Sequence, residues 1–240
     1  MADEADRREN LRFVRDRSSD EASAKPFSDI DLQGQSLGGL KLNKADFNGA
    51  TLREASLDGS SLAESTFVNS GLNKASFADA DLTRTNIYFS DATDARFARA
   101  KLSGASLSFV TLDNADLRGA DLSKADVYQG HLVNADLREA KLNGAKLHES
   151  NLTGANFSGA DLRGADLSGS VLESNTWKST VTGQAFYRGV ESSPVVTLLA
   201  CADATTIWPE GFTPPETKPD GCNTDSTRSL LDEARRLATQ

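Results

Sequence analysis

The chain has 240 residues, of which 38% are hydrophobic and 7% aromatic, and its 26 basic and 35 acidic side chains give a net charge of −9. No stretch approaches the roughly 18 consecutive apolar residues of a membrane helix, and the first residues lack the basic-then-apolar pattern of a secretion signal. We therefore expect a cytoplasmic protein with no membrane segment. The acidic balance also disfavours direct contact with nucleic acid and favours contact with basic surfaces.

Residues 1–24 form a charged segment of mixed sign. Residues 3–17 are predicted to form a short amphipathic helix, with Leu11 and Val14 three apart on one face. Such a helix can cap the repeat region that begins near Phe27, because the open ends of repeat proteins need covering. A basic arm is the alternative, but acidic residues are interspersed with the arginines throughout the segment.

A five-residue repeat follows. From Phe27 to Leu172 every fifth residue is apolar, over thirty positions without an insertion or deletion, and Ala92 is the one small member. A second series, mostly alanine or serine, lies two residues before each of these positions from Ala45 to Ser170. Neither the helical period of 3.6 nor the strand period of 2 explains this spacing. Two residues of each five face an interior, so the units must gain their stability by stacking on one another.

Units such as residues 115–119 and 160–164, both Ala-Asp-Leu-Arg-Gly, resemble the pentapeptide-repeat family, whose consensus is A(D/N)LXX. The resemblance covers residues 25–174. It implies an all-β solenoid, a right-handed quadrilateral β-helix with four pentapeptides to each square coil, flanked by short N-terminal and C-terminal helical caps. At a strand spacing of about 4.8 Å, seven and a half coils would make a rod about 36 Å long.

Residues twenty apart should then stack in columns on four sides. The first side is centred on Phe27 and every twentieth residue to Leu167, and the second, third and fourth sides start at Leu32, Leu37 and Leu42. Their net charges over residues 25–174 are −3, −4, −1 and +3, respectively. One column of the fourth side alternates in charge, which predicts pairing between coils: Lys41, Ser61, Asp81, Lys101, Asp121, Lys141 and Asp161.

The edge shared by the first two sides is predicted to be acidic, and it carries the outward aromatic residues of the repeats. Its acidic residues are Asp46, Asp91, Asp94, Asp113, Asp126, Glu149 and Asp166. Phe89 and Phe109 share one column, which predicts that their rings stack. An exposed apolar patch on a monomer often marks a contact surface, so we predict a partner-binding patch made of Val68, Tyr88, Phe89, Phe109 and Tyr128. The alternatives are rings that only protect each other across coils, and a C-terminal segment that folds back over them.

Residues 175–240 leave the repeat. Residues 206–214, Thr-Ile-Trp-Pro-Glu-Gly-Phe-Thr-Pro, resemble a terminal segment of pentapeptide-repeat proteins, which implies an end cap. Ser226 is predicted to begin a terminal helix, which can pack on that cap or form a homodimer. Cys201 and Cys222 flank Trp208, and a disulfide between them would staple the cap. Two reduced thiols are favoured in a cytoplasmic protein.

We predict no catalytic, cofactor or metal site. His131 and His148 fall on different sides of the coil, where they complete no metal or acid–base set. Residues 34–38 match the Gly-x-Ser-x-Gly nucleophile motif by letters only, because Leu37 is a central repeat residue and no helix can follow it. Regular pentapeptides also leave no pocket in which pKa values could be tuned, so the sequence predicts a protein that is not an enzyme.

Three functions are considered. The first is a non-enzymatic interaction or scaffold module that presents the acidic, aromatic edge to a protein partner. The second comes from the resemblance, since some family members mimic DNA and bind DNA gyrase or a related type II topoisomerase. Duplex DNA would carry about 21 negative charges over about 36 Å, whereas the repeat region has a net charge of −5, so the first is favoured. A structural spacer is the third.

Overall fold

The computed structural model describes residues 3–18 and 25–172. A single helix, α1, spans Glu4–Ser18 within these ranges. Residues 25–172 form a continuous series of short extended segments, with a turn in every pentapeptide. Their pairing is recorded as isolated parallel bridges rather than as longer strands. Among the described residues, no helix has the length and apolar character needed to cross a membrane.

The bridges define the repeat of the coil. From Pro26 to Val171, each bridged residue pairs in parallel with the residue twenty positions further on, as Asp46 does with Thr66. The amide of Leu42 donates to the carbonyl of Ser61 at 2.7 Å, within the same pattern. One coil therefore contains four pentapeptides, which confirms the predicted four-sided β-solenoid with stacking at twenty residues. Its right-handed sense stays a prediction.

Each turn places one residue in the left-handed region of backbone space. In the turn after Leu42, the amide of Ala45 donates to the Leu42 carbonyl at 3.1 Å, and Lys44 between them has φ 58°. Phe89 and Phe109 occupy the equivalent position with φ 57°. A side chain other than glycine costs of order 1–3 kcal/mol in such a region, so the chain keeps two bulky rings where backbone geometry disfavours them.

The core is a column of large side chains along each side. All central residues from Phe27 to Leu167 are at most 2% exposed, and Leu172 is partly buried against them. In the N-terminal half the core is rich in phenylalanine. Phe47 and Phe67 stack on the first side with ring centroids 5.0 Å apart, and Phe77 and Phe97 stack on the third side at the same distance. Burying each such side chain contributes about 1.5–3 kcal/mol.

Serines in the small-residue series connect neighbouring coils. The buried hydroxyl of Ser70 donates to the carbonyl of Phe47 at 2.7 Å, and the amide of Ser70 donates to the hydroxyl of Ser90 at 3.0 Å. Ser150 donates to the carbonyl of Val127 at 2.6 Å in the same way. These bonds satisfy hydroxyl groups whose burial would otherwise be unfavourable.

Helix α1 begins at a capping residue. The carboxylate of Asp3 accepts hydrogen bonds from the amides of Ala5 and Asp6 at 2.7 and 2.9 Å. These bonds satisfy amides that have no partner inside the helix, and aspartate is favoured at this position.

The buried face of α1 is the predicted one. Val14 is fully buried within the core cluster, and Leu11 packs against that cluster. The ring of Phe13 meets that of Phe27 edge to face at 5.8 Å. Arg15 donates to the carbonyl of Ser36 at 3.0 Å. The prediction of a helix with Leu11 and Val14 on one face is confirmed, and the helix lies against the first coil.

Several predictions fall on residues 173–240, outside the described residues. These are the end cap around Trp208, the terminal helix that starts at Ser226 and the pairing of Cys201 with Cys222.

A candidate protein-interaction surface

Four outward rings meet on the first side, next to the turn into the second side. We call them the aromatic corner: Tyr88, Phe89, Phe109 and Tyr128. The rings of Phe89 and Phe109 stack with centroids 4.9 Å apart and planes inclined by 27°, as their spacing of twenty residues predicts. Phe89 is 53% exposed, so a large apolar face is open to solvent.

The rings form a continuous stripe because a small residue separates the two tyrosines. Ser108 lies between Tyr88 and Tyr128 in their column and is buried. Phe109, from the neighbouring column, meets Tyr88 edge to face at 5.3 Å and Tyr128 at 5.4 Å. Tyr88 also meets Phe89 edge to face at 4.3 Å. Such ring pairs are favourable beyond the area they bury.

His148 extends the stripe by one coil. Its ring stacks on Tyr128 with centroids 4.7 Å apart and planes inclined by 30°. Sequence reasoning treated His148 as an ordinary surface residue, although its spacing of twenty from Tyr128 could have placed it in this column. At the other end of the column, Val68 is half-buried one coil before Tyr88.

Glu149 is held beside the stripe by neutral groups. Gln129 donates to its carboxylate at 2.8 Å. The pKa of Tyr128 is raised, first by a hydrogen bond with Glu149 and then by partial burial and the negative charge of that carboxylate. The second acidic residue near Tyr128 is Asp126, which accepts a hydrogen bond from the Tyr128 amide at 3.2 Å.

Two other residues of the predicted acidic edge, Asp91 and Asp166, have lowered pKa values. Partial burial acts to raise the pKa of Asp91, but hydrogen bonds from the hydroxyl and amide of Thr93, at 2.7 and 3.0 Å, outweigh it. The pKa of Asp166 is lowered in the same sense, because hydrogen bonds from Ser168 outweigh the effect of burial. Both groups are therefore ionised at neutral pH.

The remaining acidic residues serve the coil or lie away from the rings. Asp46 accepts hydrogen bonds from Ser28 and from the amide of Asn48, and it lies two coils before the Tyr88 level. Asp113 accepts from the amide of Val133 at 2.9 Å, which ties two coils together. Asp94 is an exposed turn residue. Of the predicted acidic edge, Asp91, Asp94, Asp113 and Asp126 share coils with the aromatic rings, and Glu149 lies one coil after Tyr128.

The third side carries a different arrangement, which we call the arginine ladder: Arg96, Asp116, Arg118, Asp136 and Arg138. Arg118 lies 2.7 Å from Asp116 and 3.7 Å from Asp136, and Arg138 lies 2.6 Å from Asp136. The pKa of Asp116 is lowered, first by the hydrogen bond from Arg118, and that of Arg118 is raised by the same contact. In this ladder each carboxylate has a guanidinium partner.

On the fourth side, the column of alternating charge predicts pairing between coils. There Lys101 lies 3.8 Å from Asp81, as predicted. Asp161, however, pairs with Arg163 of its own pentapeptide at 2.6 Å. Arginine reaches a carboxylate two residues away on the same side, so ion pairs form within a pentapeptide as well as along a column.

The described residues contain no group of histidine, cysteine, aspartate and glutamate side chains that could hold a metal ion. The Gly-x-Ser-x-Gly match is not a nucleophile elbow, since Leu37 is buried in the core and Ser36 bridges in parallel to Ser56.

A four-sided coil of twenty residues defines this molecule as a β-solenoid repeat protein. The family model for pentapeptide repeats matches it in eight copies, over residues 27–63, 60–97, 93–127 and 131–169. The chain therefore belongs to the pentapeptide-repeat family.

Solved structures of this family are similar to the chain. HetL, a pentapeptide repeat protein involved in heterocyst differentiation regulation from the cyanobacterium Nostoc sp. strain PCC 7120, is 28% identical over 62% of this chain and 70% of its own, with a TM-score of 0.49. A trypsin-treated form of QnrB1, a plasmid-mediated fluoroquinolone resistance protein, is 17% identical over 75% of this chain and 91% of its own, with a TM-score of 0.53. At that identity the likeness shows the fold alone. No curated protein matched.

Proposed function

We propose that this protein is a non-enzymatic interaction module that presents its acidic, aromatic edge to a protein partner. The observation that carries the proposal is the continuous stripe of rings in the aromatic corner, with Phe89 53% exposed. Exposed aromatic clusters are often contact surfaces, and aromatic residues commonly dominate the binding energy of interfaces.

The way the rings are held supports a binding role. Phe89 and Phe109 occupy the outward turn position of their pentapeptides, with φ 57°. Backbone hydrogen bonds join this coil to the next one. The amide of Phe109 donates to the carbonyl of Tyr128 at 2.9 Å, and the amide of Leu107 donates to the carbonyl of Asp126 at 2.7 Å. A surface fixed in this way loses little conformational freedom on binding, which favours affinity.

The proposal assigns no catalysis. The interior of residues 27–167 is filled by side chains that are at most 2% exposed, and the acidic groups stand on an open outer surface. Catalytic groups are usually placed in concave sites where burial and neighbouring charges tune their pKa values.

The test combines three substitutions in the full chain, Tyr88→Ser, Phe89→Ser and Phe109→Ser. We expect affinity purification from an extract of the source organism, read by mass spectrometry, to recover a partner with the natural chain and to lose it with this variant. Lys124→Ser is the matched control, because Lys124 occupies the same turn position as Phe89 with the same φ of 57°. Circular dichroism must be unchanged in both variants. A partner retained by the triple variant would overturn the assignment of this surface.

A second candidate partner is a type II topoisomerase. The acidic first and second sides and the fold likeness to a fluoroquinolone resistance protein favour it, whereas the small net charge of the repeat region, −5, places it second. In this function the acidic first and second sides would occupy a basic DNA-binding surface of the enzyme, with a homodimer formed through residues 226–238. A DNA gyrase supercoiling assay with and without the protein tests it, and no effect at micromolar protein would reject it.

A further inference from the structure

We infer that the aromatic corner binds an arginine-bearing segment of the protein partner, with a guanidinium group stacked on the exposed face of Phe89. This inference rests on the proposed function and names the chemistry of the contact. Its three supports are a contact elsewhere in the same chain, the charges around the rings and the cost of other occupants.

The chain already pairs another exposed phenylalanine with arginine. On α1, Phe13 is 36% exposed, and the guanidinium carbon of Arg17 lies 3.8 Å from the centre of its ring. This is the one cation–ring contact within residues 3–18 and 25–172. Phe89 is more exposed than Phe13, so its face offers the same favourable contact to a cation from outside.

The carboxylates around the corner favour a cationic occupant. Asp91 follows Phe89 by two residues in the same coil, and its lowered pKa keeps it charged. Glu149 stands in the column of Phe89 and Phe109, where Gln129, a neutral group, donates to it. The basic residues of the first side are Lys25, in its first unit, and Lys146, and the charge of Arg53 on the second side acts on Asp91. Together the two sides carry a net charge of −7. A cation over the rings would therefore meet an excess of negative charge.

Arginine fits these two features better than lysine. Its planar guanidinium can stack on a ring and still donate hydrogen bonds in its plane to a carboxylate. A lysine ammonium is more strongly hydrated and has no flat face to stack. The partner's arginine would thus use Phe89 and Asp91 together.

Other occupants are less favourable at this surface. An apolar segment would take Asp91 and Glu149 away from water without giving them a partner, which is costly. A nucleic acid would bring phosphates against these carboxylates, and a second copy would bring the same acidic corner. The stripe from Phe89 to His148 spans three coil spacings, or about 14 Å at about 4.8 Å each, which matches roughly four residues of an extended segment.

The test measures binding of two labelled nine-residue peptides to the full chain by fluorescence anisotropy at physiological salt. One peptide alternates arginine with glycine and the other alternates lysine with glycine. We expect the arginine peptide to bind at least fivefold more tightly. Phe89→Ser should weaken the arginine peptide by about fivefold to thirtyfold, the range of a desolvated cation–π contact, while Lys124→Ser leaves it unchanged.

Equal binding of the two peptides, or an arginine affinity that Phe89→Ser does not change, would overturn the inference, because net charge alone would then explain the attraction. No binding of either peptide would also overturn the inference. The corner would then be covered by another occupant, such as residues 173–240, a second copy of the chain or an apolar partner. In each of these cases the proposed function stands if the triple serine variant still loses its captured partner, and it falls separately if that partner is retained.

Discussion

The aromatic corner and the arginine ladder are built on the same coil and differ in what their side chains leave unpaired. In the ladder, Arg118 lies between Asp116 and Asp136, so opposite charges meet within the surface itself. At the corner, the rings contact one another but leave the face of Phe89 open, and Glu149 is held by the neutral Gln129.

This difference shows how a regular solenoid acquires a distinct surface. The backbone brings residues twenty apart together on every side, so geometry alone does not distinguish the two regions. Their side chains do, because arginine and aspartate of the ladder pair with each other, whereas at the corner the face of Phe89 is exposed and Glu149 accepts its hydrogen bond from the neutral Gln129. The ladder therefore stabilises the coil, and the corner is where we propose that a partner binds.

The largest expected effect on stability comes from substitutions in the core, which should be equally well packed beneath the corner and beneath the ladder. Leu107→Ala under the corner and Leu117→Ala under the ladder each remove a fully packed side chain. Each should lower the free energy of unfolding by about 2–5 kcal/mol, measured by urea unfolding followed by circular dichroism. If only one variant were destabilised, the two regions would not share an equivalent scaffold.

Acid should weaken the ladder. The pKa of Asp116 in the folded protein lies below its ordinary value of 3.8, first because Arg118 donates to it. Its stabilising contribution is therefore fully present above that value and is lost as the pH falls through the lower folded value. Urea unfolding between pH 7 and pH 2 should show stability decreasing below about pH 4. Asp116→Asn should make this decrease shallower, and an unchanged slope would contradict the assignment.

Removal of Arg118 should lower the stability of the coil without changing partner binding at the corner. Arg118→Ala leaves Asp116 and Asp136 without their shared cation, and we expect a loss of up to about 1 kcal/mol in unfolding free energy, smaller at high salt. Capture of the partner should not change, since the third side lies opposite the corner-bearing first side. Thermal unfolding and the affinity purification measure the two outcomes, and loss of the partner would show that the ladder takes part in binding.

The smallest effect concerns Tyr128. Its pKa is raised above 10.0, first by the hydrogen bond with Glu149, so Glu149→Gln should lower the pKa of Tyr128 toward that value. An absorbance titration of the phenolate, taken as the difference between the two proteins, detects this shift. Asp116→Asn on the third side is the control. A titration curve that Glu149→Gln leaves in place would show that the carboxylate does not contact this tyrosine.

Much of this architecture follows from the spacing of side chains in the sequence. The unbroken five-residue period predicts stacked units, and the resemblance to the pentapeptide-repeat family implies four units to a coil. With that coil, the spacing of twenty between Phe89 and Phe109 predicts their stacking. The buried face of α1 likewise follows from Leu11 and Val14.

The features that sequence reasoning missed depend on how far side chains reach. Arg118 contacts Asp116 within its own pentapeptide and Asp136 in the next coil, whereas the prediction compared residues within single columns. Phe109 reaches both neighbouring tyrosines because Ser108 between them is small. His148 joins the stripe through stacking on Tyr128, which its residue type alone does not indicate.

The twenty-residue period also makes the position of the aromatic corner a matter of rotational phase. Each pentapeptide advances the chain by a quarter of a revolution, so five residues inserted between Phe89 and Phe109 would carry the second ring to a different face. An insertion of twenty would return it to the same face, one level further along the axis. Changes in length by whole revolutions can therefore preserve this surface, whereas smaller changes would dismantle it without altering a single ring.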